Sequence, residues 1–238
     1  MPAAPARSRM HINTCCGAIR YTGRKSKVQM DRNGKFAEDL EVLTARLTDG
    51  LQPSEKQSLE RLKAHLLELQ KSNIVKINHS VMELVCAKTL LQKGYQVQVE
   101  YEIEFGLTCD LYSTKGDGSQ IVEIETGYIP PEHALDPSTY LLARIASKIT
   151  RYSNHTGKFA LGTPPHYVLP IPQTLLKTPR LRSSKELNEI KALCDLYYKS
   201  PPVTMEEVRN ARLHCIYTVD VDNLTTREID PESYVKNR

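Results

Sequence analysis

The 238-residue sequence predicts an α/β fold in which helices flank a mixed β-sheet. Three observations lead to this prediction. Apolar residues recur at helical spacing over the N-terminal third of the chain, the period of the pattern changes from about 3.6 to about 2 directly after Gly94, and turn residues separate the strands that follow. From residue 80 the predicted order is helix, three strands, helix and strand. We therefore expect an αβββαβ core preceded by an N-terminal helical hairpin.

The hairpin is predicted from two amphipathic segments. One carries apolar residues on a single helical face from Phe36 to Leu47 and ends at an Asp-Gly pair. The other begins near Ser54 and repeats leucine at heptad-like spacing from Leu59 to Leu69. We expect the hairpin to pack on the core, with a homodimer contact as the alternative. The resulting domain limits are 1–35 for a basic, flexible arm, 36–75 for the hairpin and 76–238 for the α/β domain.

The core is predicted to begin with a helix and three strands. Ser80 and Glu83 have the spacing of a capping box, which predicts a helix start at this point. Residues 95–103 alternate between apolar and polar types, as in a half-exposed strand. The segments 108–114 and 120–125 are predicted as the next two strands. The Lys-Gly-Asp-Gly sequence between them suits a tight hairpin turn.

The second half of the chain contains three helix starts. Asp136 and Pro137 predict a helix that reaches about Ser153. Capping boxes predict two further helices, the first of which is expected to reach Lys199. These boxes are Ser183 with Glu186 and Thr204 with Glu207. The remaining strands are predicted at 159–161, 167–169 and 213–221.

Charge is distributed unevenly along the chain. Residues 1–36 contain eight Lys or Arg residues and one acid, which gives this arm a charge of about +7, whereas the remaining residues sum to about −3. A basic arm can bind the phosphates of a nucleic acid. A solvated tail is an equally open interpretation, and a mitochondrial transit peptide is a weaker third one.

The composition disfavours a membrane protein and a disulfide-rich secreted protein. No apolar run approaches the roughly 18 residues of a membrane-spanning helix, so we expect no membrane segment. The six cysteines form no CxxC pair, and three lie within periodic apolar segments. This pattern favours buried thiols in a reducing intracellular compartment, cytoplasmic or nucleoid-associated. His11 with Cys15 and Cys16 is a poor zinc pattern.

Acidic residues mark the predicted third strand. Glu123 and Glu125 lie two residues apart, so both point to the same face, and apolar residues surround them. Asp110 lies on the preceding strand, and the hairpin turn can bring it beside this pair. Carboxylates are costly in a central strand unless a partner compensates them. Three such oxygens suit Mg²⁺, or Mn²⁺ in its place.

These residues resemble the signature of the PD-(D/E)XK, or restriction-endonuclease-like, nuclease superfamily. The match consists of Asp110 followed by Glu123-Ile124-Glu125, within an αβββαβ order over about residues 80–170. The resemblance implies Mg²⁺-dependent hydrolysis of DNA phosphodiester bonds, as in repair, recombination or restriction. It also implies that Asp110, Glu123 and the carbonyl of residue 124 bind the metal, and that Glu83 is the matching acid on the first helix.

The sequence departs from the signature at Glu125, which stands where the family usually has lysine. Other members recruit a lysine from the following helix, and Lys148 is the matching candidate here. Tyr140, Arg144, Lys148 and Arg151 recur at helical spacing and predict a phosphate-binding stripe. We therefore expect Asp110, Glu123, Glu125 and Lys148 to be catalytic, with Glu125 binding a second ion or positioning water.

Several alternatives remain open from the sequence. The acids could form structural salt bridges with Arg144 and Lys148, and Glu83 could serve only as a capping residue. The fold could also belong to a catalytically silent nucleic-acid-binding subunit. As partner we expect DNA rather than RNA, and an active homodimer is plausible because cutting a duplex requires two sites. Histidines such as His79 are interpreted as surface or capping residues, and Tyr128 as either a substrate contact or a loop anchor.

Overall fold

The computed structural model describes residues 23–72, 75 and 77–237, with side chains from residue 34 onward. Within this part, six strands form a single sheet in the order of their sequence. The strands are β1 (Gln96–Glu104), β2 (Leu107–Lys115), β3 (Gly118–Ile124), β4 (Lys158–Thr163), β5 (Cys215–Asp220) and β6 (Thr225–Ile229). The helices are α1 (Gly23–Leu47), α2 (Pro53–Lys71), α3 (Ile77–Gln92), α4 (Pro137–Tyr152), α5 (Gln173–Leu176), α6 (Ser184–Asp195), α7 (Met205–Asn210) and α8 (Pro231–Lys236).

The sheet is mixed, as the sequence predicts. Strands β1, β2 and β3 form an antiparallel meander, β4 and β5 continue parallel to β3, and β6 returns antiparallel to β5. The parallel connection from β3 to β4 requires a crossover, and α4 provides it. The predicted α/β architecture with its αβββαβ order is therefore confirmed.

Helices cover the sheet with two apolar clusters. Helices α1, α2 and α3 pack around leucines such as Leu40, Leu66 and Leu90 and share this cluster with Leu111 and Val122 of the sheet. Helices α4, α6 and α7 form the second cluster with other residues of the sheet, such as Ile121 and Phe159. The N-terminal helical hairpin thus packs on the core. None of the described helices is long and apolar enough to cross a membrane.

Three local predictions near the core are wrong. Helix α3 begins at Ile77, so Ser80 lies inside the helix, where its side chain is buried and caps nothing. Residues 167–169 form no strand. Prolines at 164, 165, 170 and 172 limit backbone pairing there, and the Leu169 N–H donates instead to the Tyr234 hydroxyl. Helix α6 ends at Asp195, short of Lys199.

The ends of the described chain also differ from expectation. Helix α1 starts at Gly23, within the stretch expected to be a flexible arm, whereas residues 1–22 lie outside the described part. The final predicted strand ends at Asp220, whose side chain closes a turn with Asn223 before β6. Strand β6 escaped prediction because it is largely polar and solvent-facing, so it carries no alternating apolar signal.

A buried guanidinium holds two C-terminal segments together. Arg182 is almost inaccessible to solvent and donates hydrogen bonds to main-chain carbonyls of residues 174–177 and 208–211. These carbonyls lie in loops and helix ends, where no strand partner satisfies them. Arg182 therefore supplies these carbonyls with the hydrogen bonds that regular secondary structure would otherwise provide.

We predict that Arg182→Met lowers the free energy of unfolding by about 3 kcal/mol or more, because several buried carbonyls lose a charged donor. Urea unfolding followed by circular dichroism measures this change. Arg180→Met, at an exposed neighbouring position, is the matched control and should change stability by less than about 0.5 kcal/mol. Equal effects of the two substitutions would contradict this role of Arg182.

Candidate metal-binding site

The three acids predicted from the sequence lie around one ammonium group. The Lys148 Nζ atom is 3.6 Å from Asp110 Oδ2, 3.2 Å from Glu123 Oε2 and 3.7 Å from Glu125 Oε2. It also donates a hydrogen bond of 2.7 Å to the carbonyl of Ile124. Lys148 projects from α4, which follows β3 as its crossover helix. The hairpin and the crossover together therefore assemble the cluster expected from the sequence.

The pairing of β2 with β3 explains why Asp110 and Glu123 meet. The paired register of these strands extends to Leu111 opposite Val122, so the next pair along the hairpin is Asp110 and Glu123. Here side chains take over from backbone pairing. The Asp110 N–H donates to Glu123 Oε1 at 3.0 Å, and the Ile124 N–H donates to Asp110 Oδ2 at 2.5 Å. These reciprocal bonds fix both carboxylates in place.

Glu125 is held by two donors at the end of the same strand. Its Oε1 accepts from the Gly127 N–H, and its Oε2 accepts from Arg144 Nε. Burial favours a raised pKa for this carboxyl, but the charges of Lys148 and Arg144 outweigh burial and lower the pKa. Glu125 is therefore ionised, and both of its oxygens already accept hydrogen bonds. This arrangement suits a residue that positions the two cations.

Glu83 joins the cluster from α3, on the opposite side of the sheet from α4. Its side chain is fully buried, and neither carboxylate oxygen has a hydrogen-bond partner among the described residues. Burial, followed by the charges of Asp110, Glu100 and Glu123, raises its pKa well above the ordinary value. The interpretation of Glu83 as only a capping residue is wrong, because α3 begins earlier and the side chain faces other carboxylates.

His79 lies one turn before Glu83 on the same helix. Ligand atoms of His79, Glu83 and Asp110 all lie within 4.8 Å of one another. Burial lowers the pKa of the imidazole, although the charge of Asp110 opposes this shift, and the neutral form is the one that binds metals. The sequence analysis interprets His79 as a surface or capping residue, and the structure places it partly buried beside Glu83 and Asp110. The i, i+4 spacing of His79 and Glu83 was the signal that could have identified the pair.

Glu100 of β1 is another acid that the sequence did not identify. It has a φ of +47°, in the left-handed region that non-glycine residues rarely adopt. Burial and the charge of Asp110 raise its pKa to about 7. In the sequence it appears as one exposed position of an alternating strand, and no local pattern distinguishes it. Strained backbone of this kind persists where surrounding structure enforces it, often at functional sites.

The cluster as a whole carries an excess of negative charge. Its five carboxylates face the two cations Lys148 and Arg144, which leaves three negative charges uncompensated by described lysines or arginines when all are ionised. The carboxylates belong to Glu83, Glu100, Asp110, Glu123 and Glu125. Such groups either hold protons or bind a cation. The unsatisfied oxygens of Glu83, beside a neutral imidazole and Asp110, fit a divalent metal ion.

The predicted basic stripe divides between two places. Arg144 pairs with Glu125, and Lys148 lies among the carboxylates. Arg151 instead donates to the carbonyl of Pro201 at 2.8 Å and lies over the Tyr198 ring. The structure thus brings two of the three basic residues to the acids and holds Arg151 elsewhere.

We predict that, in EDTA, thermal stability falls as the pH rises from about 6.5 to about 8. Burial, then the charge of Asp110, raises the pKa of Glu123 to about 8 in the folded protein. Over this interval the folded state holds a proton that the unfolded glutamate has lost, so stability declines by at most about 1.4 kcal/mol per pH unit for this group. Deprotonation of Glu100, whose pKa is about 7, lowers stability in the same direction up to about pH 7. The lowered pKa of His79 affects stability at lower pH.

Differential scanning calorimetry across this interval measures the effect. Glu123→Gln removes the titrating group and should flatten the decline. A wild-type stability that is constant or rises between the two pH values would contradict the protonated state of the buried cluster.

No protein-family model and no curated protein matches this chain. Among solved structures, the CdiA-CT/CdiI toxin and immunity complex from Burkholderia pseudomallei is similar at 15% sequence identity, with a TM-score of 0.27, over 65% of this chain and 86% of that chain.

Proposed function

We propose that this protein is a metal-dependent nuclease that hydrolyses phosphodiester bonds in DNA. One observation carries the proposal. Three carboxylates surround a lysine from the crossover helix, and those of Glu83 and Glu100 lie near them. When all five are ionised, the described lysines and arginines leave an excess of negative charge, and Glu83 has no hydrogen-bond partner among the described residues. Phosphodiester hydrolysis uses a divalent cation held by acids together with a nearby fixed cation. DNA as the substrate rests on the resemblance of Asp110 and Glu123-Ile124-Glu125 to the PD-(D/E)XK signature.

His79, Glu83 and Asp110 are the proposed metal ligands, with Glu123 and the Ile124 carbonyl next to them. The bound ion would supply charge for the scissile phosphate and acidify a water molecule. Because this set includes an imidazole, it favours Mn²⁺ over Mg²⁺ more than an all-oxygen set does. The buried Glu123 carboxyl, with its pKa raised by burial to about 8, loses its proton when a cation binds, so affinity for the ion increases with pH.

Lys148 is proposed to stabilise the negative charge that develops on the phosphate. Burial alone would lower the pKa of its ammonium, but Asp110, Glu123 and Glu125 together raise it above the ordinary lysine value. The group is therefore a permanent cation and not a general base. Glu125, with its two hydrogen-bonded oxygens, orients Arg144 and Lys148. This assigns Lys148 the role that the signature lysine has in the resembling family.

A catalytically silent nucleic-acid-binding subunit is the second candidate. The buried ion pair between Arg144 and Glu125 favours it, since such pairs can serve the fold alone. This candidate requires no divalent ion at His79, Glu83 and Asp110. Direct measurement of metal binding therefore separates the two functions before any substrate is tested.

We predict that the wild-type protein binds Mn²⁺ saturably and that Glu83→Gln and His79→Ala each weaken binding by at least about tenfold, because each removes a ligand. Electron paramagnetic resonance of free Mn²⁺ during titration measures the affinity. Glu132→Gln, which removes an exposed acid outside the cluster, is the matched control and should bind as the wild type does. Absence of saturable binding, or equal binding by all variants, would refute the metal site.

We predict that Lys148→Ala reduces DNA cleavage by on the order of 10²-fold or more, because the lost cation acts in the transition state. Arg151→Ala removes a cation on the same helix that bonds elsewhere, and it should stay within a few-fold of the wild type. Cleavage of plasmid and branched DNA with Mg²⁺ or Mn²⁺ gives the rates, with Asp110→Asn as the inactive reference and thermal unfolding as the check on folding. Wild-type rates in Lys148→Ala would exclude this role.

A further inference from the structure

A cleft of about 570 Å³ opens directly beside the candidate metal site. It shares His79, Glu100 and Arg144 with that site. The rest of its lining includes two tyrosines, Tyr128 and Tyr140, and polar groups of Asn78 and Thr126 to which the proposed function assigns no role. The volume lies within the range of clefts that bind one small organic group. The aromatic lining next to a charged centre therefore requires an explanation.

The two tyrosine rings differ in how they are held. Tyr140 is buried, stacks on His133 at a centroid distance of 4.2 Å and an angle of 17°, and contacts the edge of Tyr197. It forms a rigid part of the lining. Tyr128 is 60% exposed and follows β3 closely along the chain. A large aromatic ring with this exposure, beside a buried charged cluster, presents surface that a ligand can contact.

The backbone around Tyr128 is fixed. Gly127 has a φ of +76°, and a Cβ atom at this position would lie 2.6 Å from the Tyr167 ring, so the main chain packs directly on that ring. Pro130 and Pro131 restrict the backbone two residues further on. The ring of Tyr128 is thus presented from a rigid segment, which reduces the conformational entropy lost on binding.

We propose that this cleft receives an unpaired nucleobase stacked on Tyr128, so that the protein acts on single-stranded or locally unpaired nucleic acid. This inference rests on the proposed nuclease function and specifies its substrate class. A base within an intact duplex is stacked and paired, and it can enter such a cleft only after leaving the helix. Stacking on an aromatic ring accepts any base, while Asn78 and Thr126 can hydrogen-bond to base edges.

The test uses the fluorescence of 2-aminopurine, which is quenched by stacking and is free of tryptophan emission because the chain contains no tryptophan. Single-stranded and duplex oligodeoxynucleotides with one 2-aminopurine are titrated with Asp110→Asn protein in Mn²⁺, so that cleavage does not intervene. The added substitutions are Tyr128→Ala, Tyr128→Phe and, as control, Phe105→Ala, which removes a fully exposed ring outside the cleft.

We expect tighter binding of the single strand than of the duplex. Tyr128→Ala should weaken single-strand binding by about tenfold and abolish the additional quenching, whereas Tyr128→Phe and Phe105→Ala should preserve both. Equal affinity for duplex and single strand, no single-strand binding, or unchanged quenching in Tyr128→Ala would overturn the inference. Stacked binding without cleavage by the wild type would refute the nuclease function alone, and cleavage with unchanged Tyr128→Ala binding would refute the base site alone.

Discussion

The ammonium of Lys148 is the interaction on which the rest of the site depends. It reaches Asp110, Glu123 and Glu125 within 3.7 Å and also bonds to the carbonyl of Ile124. Removing one partner from a buried charge cluster of this kind leaves like charges uncompensated, at a cost of about 3–5 kcal/mol. The ammonium therefore both attaches the crossover helix α4 to the strand β3 and allows the acids to lie close together.

The cluster forms at a place where the sheet can supply side chains instead of backbone bonds. The backbone pairing between β2 and β3 ends before Asp110 and Glu123. There the two carboxylates accept hydrogen bonds from main-chain N–H groups of the opposite strand, in place of further backbone pairing. Helix α3 approaches from the other side and adds His79 and Glu83. Elements from both faces of the sheet thus meet at one point, which is how residues far apart in sequence come to share a site.

Charge balance explains why the two cations do not complete this site. Arg144 is committed to Glu125, and Lys148 is shared among three acids, so Glu83 lies outside the reach of either hydrogen-bond network. A buried carboxyl without a partner is stable as a protonated group or as a ligand of a cation. The raised pKa values of Glu83, Glu100 and Glu123, each caused first by burial, describe the first of these states. In the proposed metal site, binding of a divalent ion would convert the cluster to the second state and release protons.

Local patterns in the sequence determined much of this protein. The change of period after Gly94, the Lys-Gly-Asp-Gly turn and the helix caps predict the element order, because dihedral periodicity and turn chemistry act over a few residues. The same rules place Asp110 beside Glu123 and place Lys148 on the helix that follows them. The mixed sheet and the packing of the helical hairpin on the core were also predicted from such patterns, and the structure confirms both.

Only the tertiary structure decided which distant residues join them. His79 and Glu83 lie about thirty residues before Asp110, and their approach depends on how α3 packs against the sheet. Glu100 is distinguished by a left-handed backbone conformation within an otherwise regular strand, and Arg151 by a bond to a loop that no local pattern predicts. These distances are fixed by many weak packing contacts between elements. A local pattern in the sequence carries no information about such contacts, so it does not predict the distances.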